Sequence, residues 1–135
     1  MRKINVFFYG LFMDEALLQS KEITLPQLRI ASVPGFQLRI GNRATLVPAP
    51  SSRVFGVIAS VSHSELERLY SEPSVQAYRP EAVLVHLANG ETSAALCFNL
   101  VEPPSSDERN PEYSTKLRSL AERLNFPPDY VTSIQ

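Results

Sequence analysis

Apolar residues in this chain come in short runs broken by Gly, Pro and polar pairs, the pattern of strands joined by turns. Residues 5–13 open with Val6, Phe7 and Phe8, apolar on both faces of an extended chain, which predicts a strand covered on both sides. The run then passes through Tyr9-Gly10 into a helix expected near Asp14. Gly10 falls where the strand stops and allows a sharp turn with close backbone approach to a ligand. The N–H groups that follow lie at a helix start, where they suit an anion. A Tyr-Gly strand exit is therefore a candidate small-acid pocket, and a core strand ending in an ordinary turn is the plain alternative.

Residues 29–33 and 36–40 read as strands flanking Pro34-Gly35, a turn-forming pair. Residues 53–61 make the longest central strand, with Gly56 marking a bulge or close packing. Ser62 and Glu65 have capping-box spacing ahead of Leu66 and Leu69, predicting a short helix that Pro73 stops. Residues 82–88 alternate Val83, Val85 and Leu87 against Leu84 and His86. Asn89-Gly90 then turns the chain into a partner strand over 92–101. Residues 102–109 read as a mobile polar loop. Asn110-Pro111 caps a longer helix with Tyr113, Leu117, Leu120, Ala121 and Leu124 on one side, ended by Pro127-Pro128. Several strands, two short helices and one longer C-terminal helix make an α+β class, expected as one domain over 1–135.

Composition narrows the chemistry. Hydrophobic residues at 44% and charged residues at 20% are those of a soluble globular protein, and the formal net charge of -1 argues against nucleic acid as a partner. No apolar run nears the roughly 20 residues a membrane helix needs, and no signal peptide is expected from Met1 to Val6. One cysteine excludes an internal disulfide and fits a cytoplasmic setting. One Cys and two distant His give no metal cluster. Cys97, in an apolar strand between Leu96 and Phe98, reads as inert packing. His63 reads as solvated, and His86 as facing water. Most carboxylates lie at helix starts or in the polar loop. Glu72 instead lies at the end of the short helix, where the dipole disfavours it. A functional role and a surface pair with Arg68 or Arg79 both stay open.

The order of these features resembles the gamma-glutamylcyclotransferase-like family. The residues that carry the resemblance are Tyr9-Gly10 after its strand, Val54-Phe55-Gly56-Val57, Glu65 to Leu69, a Glu, Tyr78-Arg79 and a late hairpin. They span residues 4 to about 101, with an echo in Asn110 to Tyr113 and Pro128 to Val131. The resemblance implies a small mixed β-barrel with flanking helices and no cofactor. It implies a γ-glutamyl substrate held by Tyr9, Gly10, Leu11, Phe12 and Tyr78, with Glu72 as general acid/base. The reaction it implies releases 5-oxoproline and an amine or amino acid. The chain departs from the family pattern twice. Leu11 stands where Ser usually follows Tyr-Gly. The usual Leu-Asp-x-x-Glu-Gly is met by Leu69-Tyr70-Ser71-Glu72-Pro73, one residue shorter and without the Gly, which leaves Glu81 as the next candidate carboxylate. A non-catalytic small-molecule binding domain on the same scaffold is the alternative, and hydrolysis through Cys97 a third. The leaving amine and the oligomeric state are not readable from the residues.

Overall fold

The computed structural model describes residues 2–25 and 28–135, apart from the side chain of Ser74. Among these, five strands close into a barrel in the order β1-β3-β2-β4-β5. They are β1 (Lys3–Phe8), β2 (Arg29–Ile40), β3 (Ala44–Ser62), β4 (Tyr78–Leu87) and β5 (Thr92–Leu100). The neighbours run antiparallel except β1 and β5, which meet in parallel at Val6 and Leu96. Helices α1 (Glu15–Ser20), α2 (His63–Leu69), α3 (Pro111–Arg123) and α4 (Pro128–Ser133) flank the barrel.

The first strand has the two-sided burial its residues predict. Val6, Phe7 and Phe8 are all buried, and each such side chain contributes about 1.5–3 kcal/mol when taken out of water. Gly56 is required beneath them. A Cβ there would overlap the Phe8 carbonyl oxygen and come within 2.7 Å of the Phe7 ring. Close packing, one of the two expectations for this glycine, is thus its reason. The strand carrying it is longer than the 53–61 expected and starts at Ala44.

Pro34-Gly35 does not turn the chain back. It is an irregularity within the single strand β2, whose register against β3 shifts between Pro34 and Phe36, with Gly35 at φ +86°. Asn89-Gly90 does turn the chain: β4 and β5 pair from Tyr78↔Leu100 to His86↔Thr92, and Gly90 takes φ +90°. Inside the barrel, fully buried Thr45 accepts from the Leu100 N–H at 2.9 Å, satisfying a polar group that burial would otherwise penalise.

The helix signals hold. Ser62 and Glu65 form the reciprocal capping box at α2, and α2 ends at Leu69 before Pro73. The Asn110 side chain accepts from the Tyr113 N–H to start α3, which buries Leu117, Leu120 and Ala121. α3 ends at Arg123, ahead of the prolines expected to stop it, where Asn125 takes φ +60° and the Phe126 N–H closes the end on the Ala121 carbonyl. Pro127-Pro128 instead opens α4, which the sequence reading missed. Phe126 and Tyr130 then pack with Phe55 of β3, Tyr130 and Phe55 at 5.2 Å between ring centres. The 102–109 segment is tied down rather than free. Pro104 is buried, and the Glu108 carboxylate accepts from the backbone N–H groups of Ser105 (2.9 Å) and Asn42 (3.1 Å).

Candidate active site

The Tyr-Gly strand exit opens onto a cavity of about 340 Å³, within the range of small-molecule sites. The chain leaves β1 at Phe8, passes Tyr9-Gly10, and coils into a 3-10 turn over Leu11–Met13 before Asp14 caps α1. The turn is closed by its own backbone, Met13 N–H to Gly10 C=O at 3.1 Å and Asp14 N–H to Leu11 C=O at 3.0 Å. The Leu11 N–H, expected to face a ligand, donates to the phenol oxygen of Tyr113 on α3 at 3.3 Å. Gly10 suits that junction, since a Cβ there would overlap the same phenol oxygen and make the Tyr113 side chain shift.

Four tyrosines line the cavity from four parts of the chain. Tyr9 donates to the Phe98 carbonyl at 2.8 Å, and Tyr78 donates to the Ala44 carbonyl. Tyr70 stacks on Phe98, ring centres 4.4 Å apart, with Phe12 edge-on at 5.5 Å. Burial is the main force raising the pKa of all four phenols; at Tyr78 the charge of Arg43 works against it, and at Tyr113 the Leu11 N–H does. They are neutral hydroxyls at physiological pH, able to hydrogen-bond but not to supply charge.

Charge enters this cavity through Lys21, Arg43 and Glu72. Glu72 lies two residues past the C-cap of α2, as the residue before the 3-10 turn Pro73–Val75, rather than in the helix end itself as expected. Its partner is neither Arg68 nor Arg79. Its carboxylate pairs with Lys21 at the end of α1, with side-chain exposures of 56% for Glu72 and 16% for Lys21. Arg68 and Arg79 bond instead to the carbonyls of Glu22 and of Gln76 and Tyr78. The Glu72 carboxylate thus stands at the cavity mouth, half in water, rather than among the aromatic rings.

The expected binding residues Tyr9, Gly10, Leu11, Phe12 and Tyr78 therefore line one cavity with Glu72. Glu81 does not line it. Its carboxylate accepts from Asn99 at 2.7 Å on the barrel wall. Cys97 is buried, its thiol pushed up to about 12 by burial and then by the charge of Glu81, while a bond to Asn99 opposes the shift. A thiol so held is a poor nucleophile. The described residues contain no group of three metal-ligating side chains.

The sequence reading missed Lys21, Arg43, Tyr70 and Tyr113. Lys21 and Tyr113 lie far along the chain from the residues they meet, and no local pattern marks them. Tyr70 did have a signal. Laid on Leu66-Glu67-Arg68-Leu69-Tyr70-Ser71, the Leu-Asp-x-x-Glu-Gly pattern keeps its leucine and an acid at the second place. It then puts Tyr70 at the glutamate position and Glu72 two residues beyond.

Barrel and cavity together define a class, a small closed barrel with a ligand-sized pocket where its first strand ends. The chain belongs to the family described as gamma-glutamyl cyclotransferase, AIG2-like, whose model matches residues 6–117. No curated relative is similar enough to count as a match. Among solved structures, a gamma-glutamyl cyclotransferase superposes with a TM-score of 0.80 at 19% identity, over 99% of this chain and 89% of that one. YkqA of Bacillus subtilis gives 0.82 at 23% identity, over 98% of this chain and 52% of its own. An uncharacterized Homo sapiens protein gives 0.79 at 20%, over 100% and 89%. At these identities the likeness is one of fold. No helix among the described residues is long and apolar enough to cross a membrane.

Proposed function

We propose that the chain is a cofactor-free γ-glutamyl cyclotransferase that works in the cavity beside Tyr9-Gly10. The observation that carries this reading is that Glu72 is the one carboxylate lining that cavity among the described residues. The substrate's α-amine attacks its own γ-carbonyl, forming the C–N bond of a five-membered ring. The γ-amide C–N bond then breaks, releasing 5-oxoproline and an amine. Both reacting groups belong to one molecule, so holding it folded supplies much of the rate. Glu72 takes the proton that the attacking amine loses and returns it to the leaving nitrogen. The tyrosine hydroxyls and the N–H groups of the turn that its own bonds leave over orient the γ-glutamyl group. In this reading Lys21 releases Glu72 as substrate enters and turns its ammonium to a substrate carboxylate.

The test is release of 5-oxoproline from a panel of γ-glutamyl compounds. Glu72→Gln should lower turnover by about 10²-fold or more with the fold intact. Turnover near wild type in that variant would sink the role given to Glu72.

A second reading, binding without turnover, is favoured by one specific observation. In the frame that starts at Leu66, the glutamate of the family pattern falls on Tyr70, which stacks on Phe98, while Glu72 pairs with Lys21 at the mouth. Saturable binding of a γ-glutamyl compound with no 5-oxoproline formed would select it.

A further inference from the structure

A second cavity, of about 430 Å³, lies apart from the first and shares no lining residue with it. Three arginines from separate parts of the chain line it: Arg39 on β2, Arg53 on β3 and Arg109 ahead of α3. No acidic side chain lines it. The ion pairs among the described residues join Lys21 to Glu72, Lys116 to Glu112 and Arg123 to Asp14, and none involves these three guanidiniums.

Neutral acceptors hold each of them instead. Arg39 donates to the Pro104 carbonyl at 3.2 Å and Arg53 to the Ser32 hydroxyl at 2.6 Å. Arg109 donates to the Ser106 and Glu108 carbonyls at 2.7 and 2.8 Å. A guanidinium has five N–H donors, so each keeps several free after these bonds. The loop carboxylates make no close ion pair with them, although Asp107 lies near enough to Arg109 for the two charges to attract. Asp107 accepts from Ser105, and Glu108 from Ser105 and Asn42. Like charges brought together repel, and an anion bound among them relieves that repulsion. Ile40, Ile134 and Tyr130 add apolar atoms to the same lining.

We propose that this cavity is a binding site for a small phosphorylated compound. Its phosphate takes paired N–H bonds from the arginines, whose planar forks match phosphate oxygens. Its body lies on the Tyr130 wall.

The test is calorimetric titration of the whole chain with AMP, with inorganic pyrophosphate and with uncharged adenosine. AMP and pyrophosphate should bind once per chain, with affinity falling as salt rises, and adenosine should bind at least about tenfold more weakly. Arg53→Gln and Arg109→Gln should each weaken AMP at least about tenfold, since a charge-assisted bond carries that much. Arg109 lies in an exposed segment, so its variant serves if Arg53→Gln fails to fold. Wild-type 5-oxoproline release, or wild-type γ-glutamyl binding, by the same variants separates this site from the first cavity. Absence of saturable binding by either anion overturns the proposal. So does binding that the arginine substitutions leave unchanged, which would mark an adventitious ion only.

Discussion

Substituting Gly10 by Ala tests how the strand exit is held, and the structure supplies the sizes. The new Cβ would overlap the Tyr113 phenol oxygen but lie 3.8 Å from the ring carbon that bears it, an ordinary contact. The clash is therefore with one atom. Forcing a methyl into a packed site costs about 1–3 kcal/mol, and Ala returns about 0.4–1 kcal/mol by restricting the unfolded chain. The backbone at Gly10 is extended, at φ −115° and ψ −150°, so the methyl rather than a left-handed conformation dominates. Gly10→Ala should destabilise by about 1–2 kcal/mol. Tyr113→Phe removes a long 3.3 Å bond to the Leu11 N–H and should cost about 1 kcal/mol. In the Tyr113→Phe background the clashing oxygen is gone, and Gly10→Ala should become neutral or slightly stabilising. Urea unfolding of the four proteins measures the coupling, expected at about 1–2 kcal/mol. Costs that add to within about 0.5 kcal/mol would refute the contact as the reason for Gly10.

Two further outcomes follow from the same packing. Gly56→Ala drives a Cβ into the Phe8 carbonyl and the Phe7 ring, where backbone cannot step aside. It should cost about 3 kcal/mol and lower Tm by on the order of 10 °C, and a thermal melt within a degree or two of wild type would refute it. All five tyrosines are raised in pKa, chiefly by burial. Their stabilisation is fully present below the unfolded phenol value of about 10 and is lost as pH rises above it. A spectrophotometric titration should show phenolate appearing only with alkaline unfolding. A step near pH ~10 in the folded protein would contradict that.

Local signals were legible where the chain decides its own conformation. The Ser62–Glu65 capping box, the Asn110 cap and the Asn89-Gly90 hairpin all appear as the residues predict. Pro34-Gly35 misled because the same dihedral freedom serves a turn and a bulge, and only the pairing of β2 with β3 separates them. Barrel closure was available only through the family resemblance, since Val6 and Leu96 meet across most of the sequence. The candidate site divided in the same way. Tyr9 to Phe12 announced themselves as a strand exit, whereas the Lys21–Glu72 pair and the Tyr113–Leu11 bond depend on where helices dock.

The backbone ladders of the barrel are unequal. β4 and β5 are paired along nearly their whole length, and β3 runs with both β1 and β2. The joins between these two bodies are thin, with Val6↔Leu96 on one side and Ala31↔Leu87 with Ser32↔His86 on the other. The barrel is thus a three-stranded sheet closed by a hairpin, two shells meeting along two short seams. The first cavity takes Phe7, Tyr9 and Ala44 from one shell and Tyr78 and Phe98 from the other. Both bridging phenol bonds, Tyr9 to Phe98 and Tyr78 to Ala44, cross between the shells. A guest in that cavity is a rivet: it fastens the shells where the peptide ladder holds them least, and amide exchange along the seams is where its grip would register.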